Sequence, residues 1–577
     1  MRHAYGFGAL DRIAERGGWL AVAAFAAVAS LAGVWTLPPL DRDEARFAQA
    51  SAQMLESGDF VSIRFQDAER NKKPAGVHWL QAASVSAFSD VRAREIWAYR
   101  LPSALGGVLA AVFTYFAAAA LYDRRTGLLA GVLLAAAPLA ATESTIAKTD
   151  ATLLALVCLA QLAFIRALAR GPGKAGPGWL WPAVFWTAQG AAALVKGPIA
   201  PMISGLTGLG LAAARPRMGL AALRPRAGIA WAGLIVAPWA IAIGIATEGR
   251  FFAEAVGEDM LAKLGVPQER HGAPPGYHAG MALLLFWPAA ALILPGLLES
   301  WRDRERWRTR FVFAWLVPAW AVFELTATKL PHYTLPLYPA LAIIAARAAT
   351  APPQRRSLPL QKAGAVAYCL VGLGAAALIV VLPAIYGFWP AHGALYALGA
   401  AATAIAALGA GALFWRGARE PAALAAAILA SVYAWLLMGA ILPGLERLSV
   451  SPQISRTLEA AGLHPLRPRR PEAEGGAAPA ALVGYHEPSA VFLLGGRTRH
   501  LDAAAAARQL LAGEISAAIV DARAAAAFEA GLADARGGAD RAARALAVIE
   551  GINYSNGRPV SLTIYIPGEA GHKPSVP

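Results

Sequence analysis

Residues 19–60 run WLAVAAFAAVASLAGVWTLPPLDRDEARFAQASAQMLESGDF, an apolar stretch that passes directly into a charged one. The apolar part, near residues 19–37, approaches the roughly 20 residues that a membrane-spanning helix needs. The charged part begins at Asp43 with the spacing of a short amphipathic helix. We expect its polar face to stay in water and its apolar face to lie on the membrane surface. The polar face carries Asp43, Glu44, Arg46 and Gln49, and the apolar face carries Ala45, Ala48, Met54 and Leu55.

The composition of the whole chain agrees with a membrane protein. Of 577 residues, 57% are hydrophobic and 15% are charged, and the mean hydropathy is +0.46. A soluble protein would carry about a quarter charged residues, so the composition excludes a soluble multidomain enzyme. The apolar segments predict about thirteen transmembrane helices. After the first, they lie near 97–121, 127–142, 151–169, 179–195, 197–214, 228–247, 279–299, 311–327, 333–349, 363–387, 393–415 and 421–442.

The basic residues of the short connections predict how the chain is oriented. Alternate connections are rich in Arg and Lys, as at 124–125 and 301–310, whereas the connections between them, such as 386–392, are poor in both. The positive-inside rule then makes the N-terminus and the basic connections cytoplasmic. Much of the net charge of +15 therefore reflects topology, and nucleic acid is not expected as a partner. Three larger segments fall outside: 38–96, 248–278 and the chain after about 443.

The last part of the chain has a different pattern. After a predicted transmembrane domain (1–447), residues 448–577 alternate strand-like runs with Ala-rich helical stretches, which is typical of a small α/β domain. The strand-like runs are 481–485, 516–521, 546–554 and 560–566, and the helical stretches are 501–512 and 522–531. Residues 464–479 are rich in Pro and Arg and predict a linker. We therefore predict a mainly α, polytopic membrane protein with a small external α/β domain.

Several ionisable groups fall at the predicted external side. Asp43 and Arg46 share a helix face, where they would either hold an acceptor hydroxyl next to a phosphate or form a helix cap with a local ion pair. Asp150 is either a cap or a functional residue at the edge of a span. Lys196 and Lys329 either extend to the membrane surface or bind an anion. The other candidates are Lys72, Lys73, His78, Arg270, His271, Tyr277, His332 and Tyr333.

The motifs of soluble nucleotide and metal enzymes are missing from the sequence. There is no Gly-rich phosphate loop and no H-E-x-x-H, and the two cysteines, Cys158 and Cys369, lie in separate apolar runs. Cations around a carboxylate-rich external loop suggest an anionic, lipid-borne substrate. A transporter or flippase of lipid-linked sugars is the alternative from another class. It would carry ionisable residues at mid-span and repeat symmetry, and Glu324 is the nearest such residue.

A family resemblance rests on five stretches taken in order. They are DRDEARFAQASAQMLESGDFV (41–61), KKPAGVHWL (72–80), AKTDA (147–151), LVKGP (194–198) and KLPHYTLPLYPALA (329–342). Together they resemble the GT-C membrane glycosyltransferases, in particular the aminoarabinose (ArnT-like) lipid A transferases and the wider glycosyltransferase family 39, which includes protein O-mannosyltransferases. The resemblance covers residues from about 20 to 345, and beyond that it rests on general layout.

The resemblance implies a reaction and a location. Such enzymes of the bacterial inner membrane move a sugar from a polyprenyl-phosphate carrier to a lipid, such as lipid A, or to a protein on the periplasmic face, with inversion at the sugar carbon. Asp43 matches the essential first-loop aspartate of the family, beside Glu44, and Asp150 matches its second functional aspartate. Arg46 and Lys73 match residues that contact the donor phosphate. We expect Lys196 and Arg270 at the same phosphate site, because both are positively charged.

One departure from the family pattern concerns the sugar. Where the aminoarabinose transferases have Glu before the Lys-Pro pair, this chain has Lys72. A glutamate suited to a cationic sugar has become a cation, so a neutral or acidic sugar is expected. The scheme requires no metal ion, although His78, Glu44 or Asp150 could bind a divalent one.

Overall fold

Helices make up most of the chain, and every predicted transmembrane segment coincides with helical structure. The computed structural model describes residues 7–169, 178–214, 220–261, 272–387, 389–468, 478–535 and 542–568. The α-helices of eight or more residues up to residue 434 are α1 (Phe7–Ser30), α2 (Asp43–Ser57), α3 (Gly76–Phe88), α4 (Ile96–Leu121), α5 (Arg124–Ala135), α6 (Pro138–Thr145), α7 (Asp150–Ala169), α8 (Leu180–Lys196), α9 (Ile199–Ala214), α10 (Pro225–Ala246), α11 (Tyr277–Leu285), α12 (Ala290–Arg302), α13 (Trp307–Leu325), α14 (Tyr338–Thr350), α15 (Leu358–Tyr386), α16 (Trp389–Trp415) and α17 (Arg419–Ala434).

The chain spans the membrane several times. Within the described ranges, seven helices are long and apolar enough to cross a bilayer, and nine spans result if each of two bent helix pairs counts as one. The bent pairs are α5 with α6, at 60°, and α11 with the helical segment Trp287–Arg302, at 91°. The other predicted spans correspond to α8, α9, α13 and α14, which fall short of these limits and have 17, 16, 19 and 13 residues.

The first span begins and ends earlier than predicted. Helix α1 stops at Ser30, whereas the apolar segment continues to residue 37. Gly33 has a φ of 79°, a left-handed conformation that ends regular helix. The buried Arg100 guanidinium donates to the carbonyl oxygens of Val34 (3.0 Å) and Leu37 (2.7 Å). Past the end of α1 these carbonyl oxygens have no backbone donor in a helix, and the Arg100 side chain takes that place. Residues 31–37 therefore form an irregular turn and do not extend the helix.

The first external loop folds into α2, a small hairpin of β1 (Arg64–Phe65) and β2 (Ala68–Glu69), and α3. The predicted amphipathic helix from Asp43 is confirmed as α2. Its predicted position on the membrane surface is wrong, because Ala45 and Ala48 are fully buried against other parts of the protein. Gln49 on its polar face is fully buried as well.

The chain from residue 450 onwards forms a five-stranded sheet with helices. The strands β3 (Ala480–Val483), β4 (Arg499–His500), β5 (Ala517–Asp521), β6 (Ala542–Asn553) and β7 (Arg558–Gly568) lie in the order β4-β3-β5-β7-β6. The first three pair in parallel, and β7 pairs antiparallel with β5 and β6. The helices are α18 (Val450–Ala460), α19 (Pro488–Leu494), α20 (Ala503–Ala512) and α21 (Ala525–Ala535). All four predicted strands and both predicted helical stretches are confirmed.

The sheet region packs tightly on the first loop. Phe492 of α19 is fully buried and meets Tyr99 of α4 edge-on, with ring centroids 5.3 Å apart. Ala45, Ala48 and Phe492 belong to the same apolar cluster, which covers the face of α2 that was expected on the membrane. The predicted boundary at 447/448 stays a prediction, and most of the predicted linker, residues 469–477, lies outside the described residues.

Candidate active site

Four charged side chains form a row at one end of the helical bundle. The Lys196 ammonium lies 2.5 Å from Asp150 Oδ1. The Lys148 ammonium lies 3.9 Å from Asp150 Oδ2 and 3.0 Å from Glu143 Oε2. None of the four side chains keeps more than 15% of its surface exposed. Two carboxylates and two ammonium groups neutralise each other, and this is the condition under which charges can be buried. We call these four residues the charge row.

Helix ends and breaks bring the charge row together. Glu143 lies in α6, Lys148 in the short break after it, and Asp150 is the first residue of α7. The break is held in place because Ser103 of α4 donates to the carbonyl oxygen of Lys148 at 3.2 Å. Lys196 is the last residue of α8, which ends where Gly197 adopts a φ of 64°. The last residue of α8 thus meets the first residue of α7, which places Lys196 beside Asp150.

Glu44 is clamped inside the protein. Its two carboxylate oxygens accept from Arg100 Nε and Nη2, both at 2.8 Å. They also accept from the backbone N–H groups of Leu40 and Ala147, again at 2.8 Å. The side chain is 1% exposed. These four bonds join the first loop to α4 and to the break before α7, and the catalytic role that we predicted for Glu44 stays a prediction.

Asp43 is held quite differently from its neighbour. It begins α2, its side chain is 61% exposed, and Arg70 Nη2 lies 3.9 Å from Oδ1. Arg46 follows one turn along the helix and is half-buried. An exposed carboxylate with one loose ion pair can accept a proton from a bound hydroxyl. Of the three predicted catalytic carboxylates, Asp43 is the one that is open to a substrate.

The negative charge of Asp43 affects the pKa of Lys148 in the charge row. Burial lowers the pKa of Lys148, but Glu143, Asp150 and Asp43 raise it by more, so the net pKa of Lys148 lies above the usual lysine value. Asp43 thus contributes to keeping Lys148 in its charged form. Asp43 and the charge row consequently act on a common region of space.

The segment KLPHYTLPLYP contributes to the same region. His332 and Tyr333 lie in a short 3-10 helix, Pro331–Leu337, which packs on α6 and α7. Burial lowers the pKa of His332 while Asp150 and Asp43 oppose that effect, so the charge row and Asp43 both act on this ring. The Lys329 ammonium is turned inwards, where it donates to the carbonyl oxygen of Thr326 at 2.8 Å.

The residues around the Lys-Lys-Pro stretch are divided between surface and core. Lys72 is exposed and Lys73 is half-buried. His78 is 1% exposed, its Nδ1 lies 2.9 Å from the Ser51 hydroxyl, and its ring stacks on Phe47. Burial and the charge of Arg70 lower the pKa of His78 to about 3, so the ring is neutral. His78 is accordingly a core residue of the first loop.

The second external loop is described only in part. Tyr277 is half-buried at the start of α11, whose first backbone N–H groups are capped by Glu324. Arg270 and His271 lie outside the described residues. No group of three or more His, Cys, Asp or Glu side chains placed to hold a metal ion occurs in the ranges that the structure describes.

Sequence reasoning missed several residues at this end of the molecule. Glu143 and Lys148 are not among the predicted site residues, although they occur in the same eight-residue stretch (143–150) as Asp150. Arg100 lies within an apolar span, where a buried cation signals an internal partner, and this signal could have identified the pair with Glu44. Arg70 carried no such signal.

The sequence comparisons show similarity to transferases that are named for the sugars they move. The family model described as dolichyl-phosphate-mannose-protein mannosyltransferase matches residues 72–241. The undecaprenyl phosphate-alpha-4-amino-4-deoxy-L-arabinose arabinosyl transferase of Pseudomonas aeruginosa is 27% identical over 320 residues, which is 54% of this chain and 57% of that protein. The chain thus spans little more than half the length of this relative. The protein of the same name from Erwinia tasmaniensis is 28% identical over 429 residues, 71% of this chain and 74% of that protein.

The structural comparison covers nearly the whole molecule. The crystal structure of ArnT from Cupriavidus metallidurans bound to undecaprenyl phosphate superposes with a TM-score of 0.71, covering 97% of this chain and 98% of that one at 21% identity. The chain has the GT-C fold of ArnT. Its apo structure gives a TM-score of 0.70 at 20% identity. The predicted resemblance to the ArnT-like GT-C glycosyltransferases of family 39 is therefore confirmed, and the agreement extends to the C-terminal sheet region.

Proposed function

We propose that this protein is a membrane glycosyltransferase that takes a sugar from a polyprenyl-phosphate carrier and transfers it to an acceptor hydroxyl outside the cytoplasmic membrane. The observation that carries the proposal is the exposed Asp43 carboxylate, whose charge acts on Lys148 of the charge row. The GT-C fold and the names of the related transferases favour the same chemistry.

The proposed reaction uses one carboxylate and several cations. Asp43 accepts the proton of the acceptor hydroxyl while the oxygen of that hydroxyl attacks the sugar carbon from the side opposite the phosphate. The bond between that carbon and the phosphate oxygen breaks, and its electron pair leaves with the polyprenyl phosphate, so the sugar carbon is inverted. Lys148 and Lys196, with Arg46 and Lys73 from the first loop, would stabilise the charge that develops on the phosphate.

Asp150 has a supporting role in this scheme. Its carboxylate lies 2.5 Å from Lys196 and 3.9 Å from Lys148, so it holds both ammonium groups in place. A carboxylate engaged by two cations is a weak base, because taking up a proton would break both pairs. We therefore assign proton transfer to Asp43 and the placing of the lysines to Asp150.

The proposed location is the inner membrane of a bacterium, with the N-terminus in the cytoplasm and the site in the periplasm. The distribution of Arg and Lys favours this orientation. Asp43, the charge row and the sheet region all lie on the side that the rule makes external. The proposed acceptor is a lipid of the lipid A type or another envelope component. A protein hydroxyl is the second candidate, because the matching family model describes protein mannosyltransferases.

The test uses purified protein in nanodiscs with polyprenyl-phosphate sugars supplied one at a time. Mass spectrometry follows the release of free polyprenyl phosphate and the modification of lipid or peptide acceptors. We expect Asp43→Asn to slow transfer by roughly 10²–10⁴-fold, the usual contribution of a placed general base, and to leave donor binding unchanged. Asp67→Asn is the matched control, because Asp67 is an exposed carboxylate at the tip of the hairpin in the same loop.

The outcomes separate the candidate functions. A modified lipid identifies the acceptor class as lipid, and a glycopeptide identifies it as protein. Equal turnover by wild type and Asp43→Asn would remove Asp43 from the mechanism. If wild type binds the carriers without releasing polyprenyl phosphate from any donor, the transferase proposal fails and transport of lipid-linked sugars takes its place.

A further inference from the structure

The turn that precedes Asp43 is in contact with the start of α19 and with the loop between β6 and β7. The Ser489 backbone N–H donates to Asp41 Oδ1 at 3.0 Å. The backbone N–H of Asp41 donates to the Tyr554 hydroxyl. Arg42 Nη2 donates to the carbonyl oxygen of Ser555 at 2.7 Å. Residues more than 440 positions apart in the chain thus meet next to the proposed base.

Arg42 has a backbone conformation that is costly for its residue type. Its φ is 64° and its ψ is −110°, a region that glycine occupies readily and other L-residues avoid. Such a conformation persists when surrounding contacts over-determine it. Here the contacts are the bonds from Arg42 and Asp41 to the tip of the β6–β7 hairpin, residues 553–558. The next residue is Asp43, so the direction in which its side chain leaves the backbone depends on this turn.

The hairpin tip is itself braced. Asn553 Nδ2 donates to Glu487 Oε1 at 2.5 Å, and the Ser555 hydroxyl donates to Glu487 Oε2 at 3.1 Å. Behind the tip, β6 and β7 pair from Asn553 with Arg558 to Ala542 with Gly568, with one register shift between Ala545 and Ala547. Because the hairpin tip is held by these bonds, it can keep the strained turn at Arg42 in one conformation. A loosely held loop would shift together with that turn.

We infer that the tip of the β6–β7 hairpin is a positioning element for the catalytic centre, and that Arg42 and Tyr554 are the positioning residues through which it fixes Asp43. This inference rests on the proposed function of Asp43. It assigns a role to the C-terminal sheet region, which completes the catalytic centre by clamping the turn before the base. A misplacement of about 1 Å at a reacting group can cost roughly 10²-fold in rate, so a clamp of this kind affects turnover directly.

The first test measures the turn without any substrate. Amide hydrogen exchange of the intact protein in nanodiscs is compared for wild type, Arg42→Ala, Tyr554→Phe and the control Arg558→Ala, which changes an exposed side chain of the same hairpin tip. We expect exchange over residues 41–46 to accelerate at least tenfold in the first two variants. Exchange over the rest of α2 and the control should match wild type. Unchanged exchange at 41–46 in both variants would overturn the inference.

The second test measures turnover with the donor identified for the wild type. Arg42→Ala and Tyr554→Phe should lower kcat at least tenfold and leave KM for the polyprenyl-phosphate sugar unchanged, because the phosphate contacts are untouched. Arg42→Lys, which keeps a cationic donor, should recover much of the loss, a result that a merely structural role would not give. Wild-type kcat in both variants would overturn the inference. If wild type transfers no sugar, the proposed function has failed, and the exchange result alone decides whether the hairpin holds the turn.

Discussion

At the scale of single residues, the carboxylates of the candidate site differ in what surrounds them. The Asp43 side chain is exposed to solvent, Glu44 accepts four hydrogen bonds, and Asp150 is paired with two lysines. Sequence alone could predict all three as candidates, because acidic residues at the ends of spans are costly and tend to be functional. It could not rank them, since the ranking depends on Arg100 and Lys196, which lie 56 and 46 positions away from their partners.

The pairing of Asp150 leads to a prediction about stability. In Asp150→Asn the Lys196 ammonium, whose side chain is 15% exposed, loses its carboxylate partner, and leaving one charge of a largely buried pair uncompensated costs about 3–5 kcal/mol. We expect a lower apparent melting temperature in detergent, part of which polyprenyl phosphate restores by supplying a new anion. The restoration should be larger in the variant than in wild type. Asp67→Asn is the control, and equal melting of Asp150→Asn and wild type would contradict a buried pair.

At the scale of elements, the contact between the first loop and the hairpin contains a carboxyl group that titrates near neutrality. Burial, followed by the nearby charge of Glu487, raises the pKa of Asp41 to about 7, against the opposing effects of Ser489 and Arg46. Tyr554 and Tyr485 also face this carboxyl group. The folded protein therefore binds the Asp41 proton more tightly than the unfolded chain, whose carboxyl has the ordinary value of 3.8.

The sign of the resulting pH dependence follows from linkage. Because the pKa of Asp41 is raised in the folded protein, this group contributes to the free energy of unfolding in full below pH 3.8. The contribution is lost as the pH rises towards about 7. We expect wild type to lose melting temperature between pH 4 and pH 7 relative to Asp41→Asn, which imitates the protonated form at every pH. The measurement is the difference in melting temperature between the two proteins across that range. A difference that stays constant would show that Asp41 does not titrate at the contact.

At the scale of the whole molecule, the sequence predicted the helical membrane part and the C-terminal sheet region, but not the contacts that join them. Hydropathy located the helical segments because an apolar run of sufficient length has few alternatives in a bilayer. Alternation of apolar residues located the strands β3, β5, β6 and β7 in the same way. The apolar face of α2 was recognised, yet its partner Phe492 lies about 440 positions further on, and a local pattern does not say what covers a surface.

The packing of Phe492 decides whether the sheet region is a separate domain. Its ring is fully buried between α2 and α4, so Phe492→Ala should cost about 3–5 kcal/mol. Because the cavity opens under α2, we expect faster proteolysis within residues 38–96, far from the substitution in sequence. Val548→Ala is the control, since Val548 is 60% exposed on the sheet. If Phe492→Ala leaves the first loop as resistant as wild type, the sheet region is an independent unit. If the first loop is cleaved faster, the first loop and the sheet region form a single packed layer, which is the arrangement that a clamp on Asp43 requires.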